Sequence, residues 1–154
     1  MTGHRGFSLV EVLIAITVMS VGLAALARLS LVGIADTGGA RAHSQAVGLA
    51  SEAAELLRFG AAGYDDWNGG GTAPSSCGLG SPCPPASFTR NFAADWALRV
   101  ADRLPGGLGA VCRDASPGDG DPSDAACDGT GRYVVKVLWR SPAGTPMRHV
   151  VVLP

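Results

Sequence analysis

The feature that most constrains this chain is an uncharged apolar run close to its N-terminus. The run covers residues 12–27 and reads VLIAITVMSVGLAALA. Together with residues 7–10 it reaches the ~20 residues that an α-helix needs to cross a ~30 Å hydrocarbon core. His4 and Arg5 precede it, and basic residues on that side favour keeping the N-terminus in the cytoplasm. The sequence therefore predicts one membrane-spanning helix, with the rest of the chain on the outer side.

One acidic residue, Glu11, stands at the front of this run. A carboxylate at bilayer depth costs a few kcal/mol, whereas an acid in the first turn of a helix gains only ~0.3–1 kcal/mol from the helix dipole. Cleavage after Gly6 would give Phe7 a free amine at the edge of the run, and the Glu11 carboxylate of an adjacent subunit would pair with it. We therefore expect Glu11 to act in assembly.

Two simpler interpretations share the hydropathy profile. A secretory signal peptide keeps its apolar region free of acids and ends in a small-x-small cleavage site, but here an acid opens the run and Gly6-Phe7 offers a cut before it. A plain single-span anchor has the same length and composition. That interpretation leaves Glu11 unexplained.

Residues 6–15, GFSLVEVLIA, resemble the class III signal of type IV prepilins and of type II secretion pseudopilins. The resemblance implies that a dedicated prepilin peptidase cuts after Gly6 and methylates the amine of Phe7, and that Glu11 mediates assembly with a neighbouring subunit. Many pilins have a helix-kinking proline in the apolar segment, but this chain has none between Phe7 and Tyr64.

Composition limits the remainder to one small domain. The 154 residues are 47% apolar and 16% charged, with a formal net charge of -1. Dispersed arginines and a balanced charge give no reason to expect a nucleic-acid partner. HExxH, Walker A and GxSxG patterns do not occur, and the three histidines lie in the leader, the helix and a strand. We expect no enzyme, no cofactor and no metal.

Periodicity predicts an α+β fold of the pilin type, in which the C-terminal half of a long N-terminal helix packs on a small antiparallel sheet. The helix should run from Phe7 to about Leu57, with a bend or break at Gly38-Gly39. A loop is expected over residues 60–85. The predicted divisions are a leader (1–6), a transmembrane and filament-core helix (7–34), the second half of the helix (35–59) and a head (60–154).

Within the head, Phe92, Trp96, Val100 and Leu104 follow four-residue steps and predict a short amphipathic helix, with Trp96 in the core. Strands are predicted over residues 109–113, 133–140 and 147–153, with a hairpin turn between the last two. Residues 114–131 contain five aspartates among Gly, Pro and Ser. They are interpreted as a solvated loop.

Four cysteines in a Gly/Pro-rich region indicate disulfides and an oxidising compartment. They are Cys77, Cys83, Cys112 and Cys127, and three pairings remain possible. Cys112 with Cys127 would close the aspartate-rich loop, contributing about 3 kcal/mol, and Cys77 with Cys83 would pin the other loop. Their spacing lacks the paired CxxC of zinc sites. Residues 119–130 lack the glycine and the glutamate of an EF-hand, which leaves a looser calcium site as the alternative to a solvated loop.

The order of Trp96, the LPGG turn at 104–107, VCR at 111–113 and YVVKVLW at 133–139 resembles the PilV-type minor pilins, also called type IV pilus modification proteins. The resemblance implies a subunit of a priming or tip complex that promotes pilus biogenesis. Its partners would be the prepilin peptidase/methyltransferase, other minor pilins and the major pilin. The chain would sit in the inner membrane with a periplasmic head, and then in the extracellular pilus. The alternatives are a minor pseudopilin of type II secretion and a module that binds a surface or DNA through its loops.

Overall fold

The computed structural model describes residues 8–58 and 85–154. It contains two helices and three strands, which are α1 (Leu9–Arg58), α2 (Pro85–Arg103), β1 (Leu108–Asp114), β2 (Arg132–Arg140) and β3 (Pro146–Val152). The strands form one antiparallel sheet in the order β1-β2-β3. The α+β prediction is confirmed, including the short helix and the three strands of the head. The loop expected over residues 60–84, with Cys77 and Cys83, lies outside the described residues, as do Gly6 and Phe7.

Helix α1 is continuous through Gly38 and Gly39, so the expectation of a break there is wrong. Two glycines cost about 2 kcal/mol relative to alanine. A helix that is already nucleated propagates cooperatively on both sides of them. The division of the chain into compact units nevertheless falls at this pair, with one unit ending at Gly38 and the other running from Gly39 to Pro154.

The second half of α1 packs through small side chains. Its buried residues recur at intervals of three and four, and they are Ala42, Ala46, Leu49, Ala50, Ala53, Ala54 and Leu57. Five of these seven are alanines, which let neighbouring elements approach the helix backbone closely. Trp96 of α2 uses this space. Its side chain is 1% exposed, and its Nε1–H donates a 2.9 Å hydrogen bond to the Leu49 carbonyl, which confirms its predicted place in the core.

The LPGG segment is the turn that joins α2 to β1. Gly106 has a φ of +59°, and a Cβ on Gly107 would lie 2.2 Å from the Val100 carbonyl oxygen. The Pro105 carbonyl accepts a 2.9 Å hydrogen bond from the Arg140 N–H. The backbone conformation at Gly106 and the close approach at Gly107 both require glycine. The hydrogen bond to Pro105 attaches the turn to the end of β2.

The central strand β2 is covered on both faces, whereas β3 is exposed or half-buried along its length. Side chains of one face join the helices in a single core, and they include Val111, Val135, Val137, Trp139 and Leu153. Because strand side chains alternate between faces, Val134, Lys136 and Leu138 point the other way, and all three are fully buried. The connection between β1 and β2 covers them. Six consecutive residues of β2 are therefore buried.

Gly109 offers a direct test of this packing. A Cβ at Gly109 would lie 2.7 Å from the buried Trp96 ring, so we expect Gly109→Ala to destabilise the chain by about 1–3 kcal/mol through overpacking. Gly48 lies on the exposed side of α1 with no atom near its Cβ position. Gly48→Ala should instead be neutral or stabilising by up to ~1 kcal/mol. Unfolding of the full chain in detergent, followed by tryptophan fluorescence, compares the two, and equal stability of both variants would contradict the packing.

Candidate functional site

The first part of α1 carries an apolar surface that the described chain does not cover. Fifteen large apolar side chains lie between Leu9 and Ile34, and the least exposed of them, Val12, is 46% exposed. By length and composition the helix is able to cross a membrane, and its most apolar 18 residues are not buried inside the protein. Such a surface requires lipid or other subunits around it.

The hydroxyl groups in this segment are satisfied by the helix itself. Thr17 Oγ1 donates to the Ile14 carbonyl and Ser20 Oγ donates to the Thr17 carbonyl, each at 2.8 Å. Hydroxyls bonded to the preceding turn add little cost in hydrocarbon. The carboxylate of Glu11 is therefore the main polar group left to explain at this end of the helix.

Glu11 occupies the third position of α1. The Ser8 carbonyl accepts hydrogen bonds from the N–H groups of Glu11 and Val12 at 3.0 and 3.3 Å, which places Ser8 at the N-cap. A serine and a glutamate at this spacing are able to form a capping box, but the structure shows no reciprocal side-chain bond between them. The Glu11 side chain is exposed and has no ion-pair partner within residues 8–58 and 85–154.

The aspartate-rich loop (residues 114–131) is organised around a lysine from β2. Lys136 Nζ contacts the Asp114 carboxylate and lies 2.8 Å from both Asp119 Oδ1 and the Ala125 carbonyl oxygen. The side chains of Lys136 and Asp114 are fully buried. The loop is exposed to solvent as interpreted, since every residue from 115 to 131 is exposed or half-buried, but through Lys136 it also contacts the second face of the sheet.

The pKa values of Asp119 and Lys136 follow from their contacts. Hydrogen bonds from Lys136 and Ser116 lower the pKa of Asp119. Burial alone would lower the pKa of Lys136, but its hydrogen bonds to Asp114 and Asp119 outweigh that effect and raise it. Both groups are charged at neutral pH, and the ammonium group is the cation around which these acids converge.

The other three aspartates shape the backbone of the loop. Asp121 Oδ1 accepts from the Ser123 N–H at 2.7 Å, Asp124 Oδ1 from the Ala126 N–H at 2.9 Å, and Asp128 Oδ1 from the Thr130 N–H at 2.7 Å. Such aspartate turns satisfy loop amides that have no strand partner. Among the described residues, no three His, Cys, Asp or Glu side chains are grouped to hold a metal ion. These three carboxylates are thus hydrogen-bonded to the backbone of the loop.

A disulfide ties this loop to the sheet. It joins Cys112 of β1 to Cys127, with the two Cα atoms 6.1 Å apart. The Gly129 N–H donates a 3.0 Å hydrogen bond to the Arg113 carbonyl beside it. The loop is consequently fixed at both ends.

Sequence reasoning missed a cluster of rings at the junction of α1 and the sheet. The His43 ring lies 6.0 Å, between centroids, from both Trp139 and His149, edge to face in each case. Burial and the neighbouring charge of His43 lower the pKa of His149. No sequence pattern joins residues this far apart in the chain, because only the strand register and the docking of α1 bring them together.

Comparison with known proteins identifies the N-terminal segment. Residues 1–27 match the family described as the prokaryotic N-terminal methylation motif. No curated protein and no solved structure matches the chain. The matched residues include the whole apolar run from 12 to 27, and the motif indicates a type IV pilin-like or pseudopilin subunit. It implies processing by a prepilin peptidase and assembly into a pilus or pseudopilus.

Replacing Lys136 tests the role of the buried ion pair. Lys136→Met leaves the buried Asp114 carboxylate without compensation, so we expect a loss of about 3–5 kcal/mol in the free energy of unfolding. Adding Asp114→Asn should recover part of that loss, since it removes the uncompensated charge. Urea unfolding measures both. The matched control is Arg132→Met, an exposed cation on the same strand, which should change stability by less than about 0.5 kcal/mol.

The contact between Lys136 and Asp119 predicts that the stability of the chain depends on pH. The folded pKa of Asp119 lies below its ordinary value of 3.8, so its contribution is present above that pH and is lost as the pH falls through the folded value. The wild-type chain should therefore lose stability below about pH 4 more steeply than Lys136→Met, which lacks the contact. Identical acid profiles for the two proteins would contradict the ion pair.

Proposed function

We propose that this chain is a minor pilin that is cleaved after Gly6, methylated on the amine of Phe7 and assembled into a type IV pilus priming or tip complex. The observation that carries the proposal is the exposed apolar surface of α1, with the Glu11 carboxylate, which has no ion-pair partner among the described residues, at its beginning. The chain first sits in the inner membrane with its head in the periplasm, and then in the extracellular pilus. The Cys112–Cys127 disulfide suits both oxidising locations.

Glu11 sets the register between subunits in this proposal. In the bilayer an unpaired carboxylate costs a few kcal/mol. Cleavage creates a cation on Phe7, four residues before Glu11 in the sequence, and an adjacent subunit's Glu11 pairs with it. Each charge is costly when alone and compensated when paired. The pair therefore stabilises one axial position of the neighbouring helix relative to others. It forms only after the leader is removed.

Features of the head support the PilV-type assignment over a generic pilin. The Trp96 side chain, the LPGG turn and the strand Arg132–Arg140 meet in one packing unit, so the sequence order behind the resemblance corresponds to a set of contacts in the fold. The proposed partners are other minor pilins, the major pilin and the prepilin peptidase. A nucleic-acid partner is not expected at a formal net charge of -1.

The second candidate is a minor pseudopilin of a type II secretion system. The N-terminal methylation motif serves both kinds of filament, so Glu11 and the apolar helix have the same role in each. Deletion of the gene separates the two, because loss of surface pili with normal secretion supports the first candidate. A secretion defect with normal piliation supports the second.

A charge-neutral substitution tests the role of Glu11. We expect Glu11→Gln to leave the head folded and the chain in the membrane, but to lower its amount in sheared filaments at least tenfold, which corresponds to about 1.4 kcal/mol. The readout is the chain's abundance in purified filaments relative to the membrane fraction, by immunoblot.

The matched control is Glu55→Gln. Glu55 lies on the same helix and pairs with Arg58 three residues away, with both side chains about half exposed. It should enter filaments as the wild type does. Wild-type incorporation of Glu11→Gln, with the control also normal, would contradict the assembly role. Failure of both variants would point to misfolding, which formation of the Cys112–Cys127 disulfide checks.

A further inference from the structure

The ring cluster of His43, Trp139 and His149 has a chemistry that the proposed function does not use. His43 lies on α1 and is exposed, whereas His149 lies on β3 and is half-buried. Both belong to the compact unit from Gly39 to Pro154. The fold thus brings two imidazoles, which are distant in sequence, to one accessible place.

The distance between the two rings suits a shared metal ion. Metal–nitrogen bonds of 2.0–2.1 Å place two imidazoles that bind one ion with their centroids at most about 6.4 Å apart. The centroids of His43 and His149 are 6.0 Å apart. The measured separation of the two rings therefore lies within the reach of one shared ion.

We propose that His43 and His149 form a binding site for a divalent transition-metal ion that prefers imidazole ligands, with Cu²⁺ bound most tightly. Imidazole suits copper, zinc and nickel, and among divalent ions of this row copper forms the strongest complexes. The described residues supply two ligands, so water completes the coordination. The site is open and exchangeable, unlike a closed structural zinc centre.

Metal binding requires neutral imidazoles. A bound ion would join α1 to the edge strand β3. Because the folded chain alone holds both ligands in place, binding should raise the temperature of unfolding.

Aromatic packing alone is the simpler explanation of this cluster. The edge-to-face contacts of His43 with Trp139 and with His149 are favourable whether or not a nitrogen lone pair is available. Phenylalanine preserves such contacts and removes the metal ligand. The substitutions His43→Phe and His149→Phe therefore separate packing from metal binding.

The test is a CuSO₄ titration of the full chain in detergent at pH 7.5, followed by calorimetry and by quenching of tryptophan fluorescence. All proteins carry His4→Ala, so that the leader histidine does not contribute. We expect saturable one-to-one binding, and a loss of at least about tenfold in affinity in each Phe variant. Circular dichroism in the near ultraviolet checks that the variants remain folded.

Several outcomes would overturn the site. Affinity unchanged in either folded Phe variant would show that the two imidazoles do not share the ion. Copper uptake without saturation would show non-specific binding only. Neither result bears on the proposed filament role, which Glu11→Gln tests in the membrane segment, so the two proposals fail independently.

Discussion

The structure depends on an apolar helical surface that the described chain leaves uncovered. Water disfavours such a surface at roughly 25 cal/mol per Å², so the segment from Leu9 to Ile34 has to be held by lipid or by other helices. Its hydroxyl groups are bonded within the helix, which makes it compatible with both environments. In the proposed function the same helix is held first by lipid and then by other subunits.

Glu11 is the acidic residue at the start of this surface, and it distinguishes one axial position of the helix from the others. A purely apolar helix slides along its neighbours with little preference for one axial position. A carboxylate that lacks a partner in the described chain gives one position a distinct energy, provided that a neighbouring cation appears at the right moment. In the proposed mechanism, removal of the leader creates this cation on Phe7. Assembly therefore depends on processing.

The head solves a different problem, which is to cover both faces of a three-stranded sheet with few residues. Helices cover one face through alanines and Trp96, and the aspartate-rich loop covers the other. Lys136 makes this second cover possible, because its ammonium group gathers Asp114, Asp119 and the Ala125 carbonyl. The Cys112–Cys127 disulfide then limits how far the loop can open. The loop stays exposed to solvent along most of its length, and its aspartates hydrogen-bond the loop backbone and Lys136.

Local patterns in the sequence predicted the elements well, and long-range relations less well. Four-residue spacing identified α2, and β-branched runs identified β2 and β3, because these signals belong to single elements. The continuity of α1 through Gly38-Gly39 was misjudged because local glycine cost was weighed without helix cooperativity. The burial of Lys136 and the meeting of His43 with His149 were missed, since each depends on strand register and on how the loop or α1 docks. The assembly role of Glu11 stays a prediction, which rests on the cost of a carboxylate at the start of an apolar run.

The central claim is that the leader ends at Gly6 and that a new, methylated amine then begins the chain. Mass spectrometry of the intact protein extracted from membranes with an active prepilin peptidase tests it most directly. The account predicts a mass that lacks residues 1–6 and carries one methyl group on Phe7. An intact leader in those cells, or a cut on the far side of the apolar run, would contradict it.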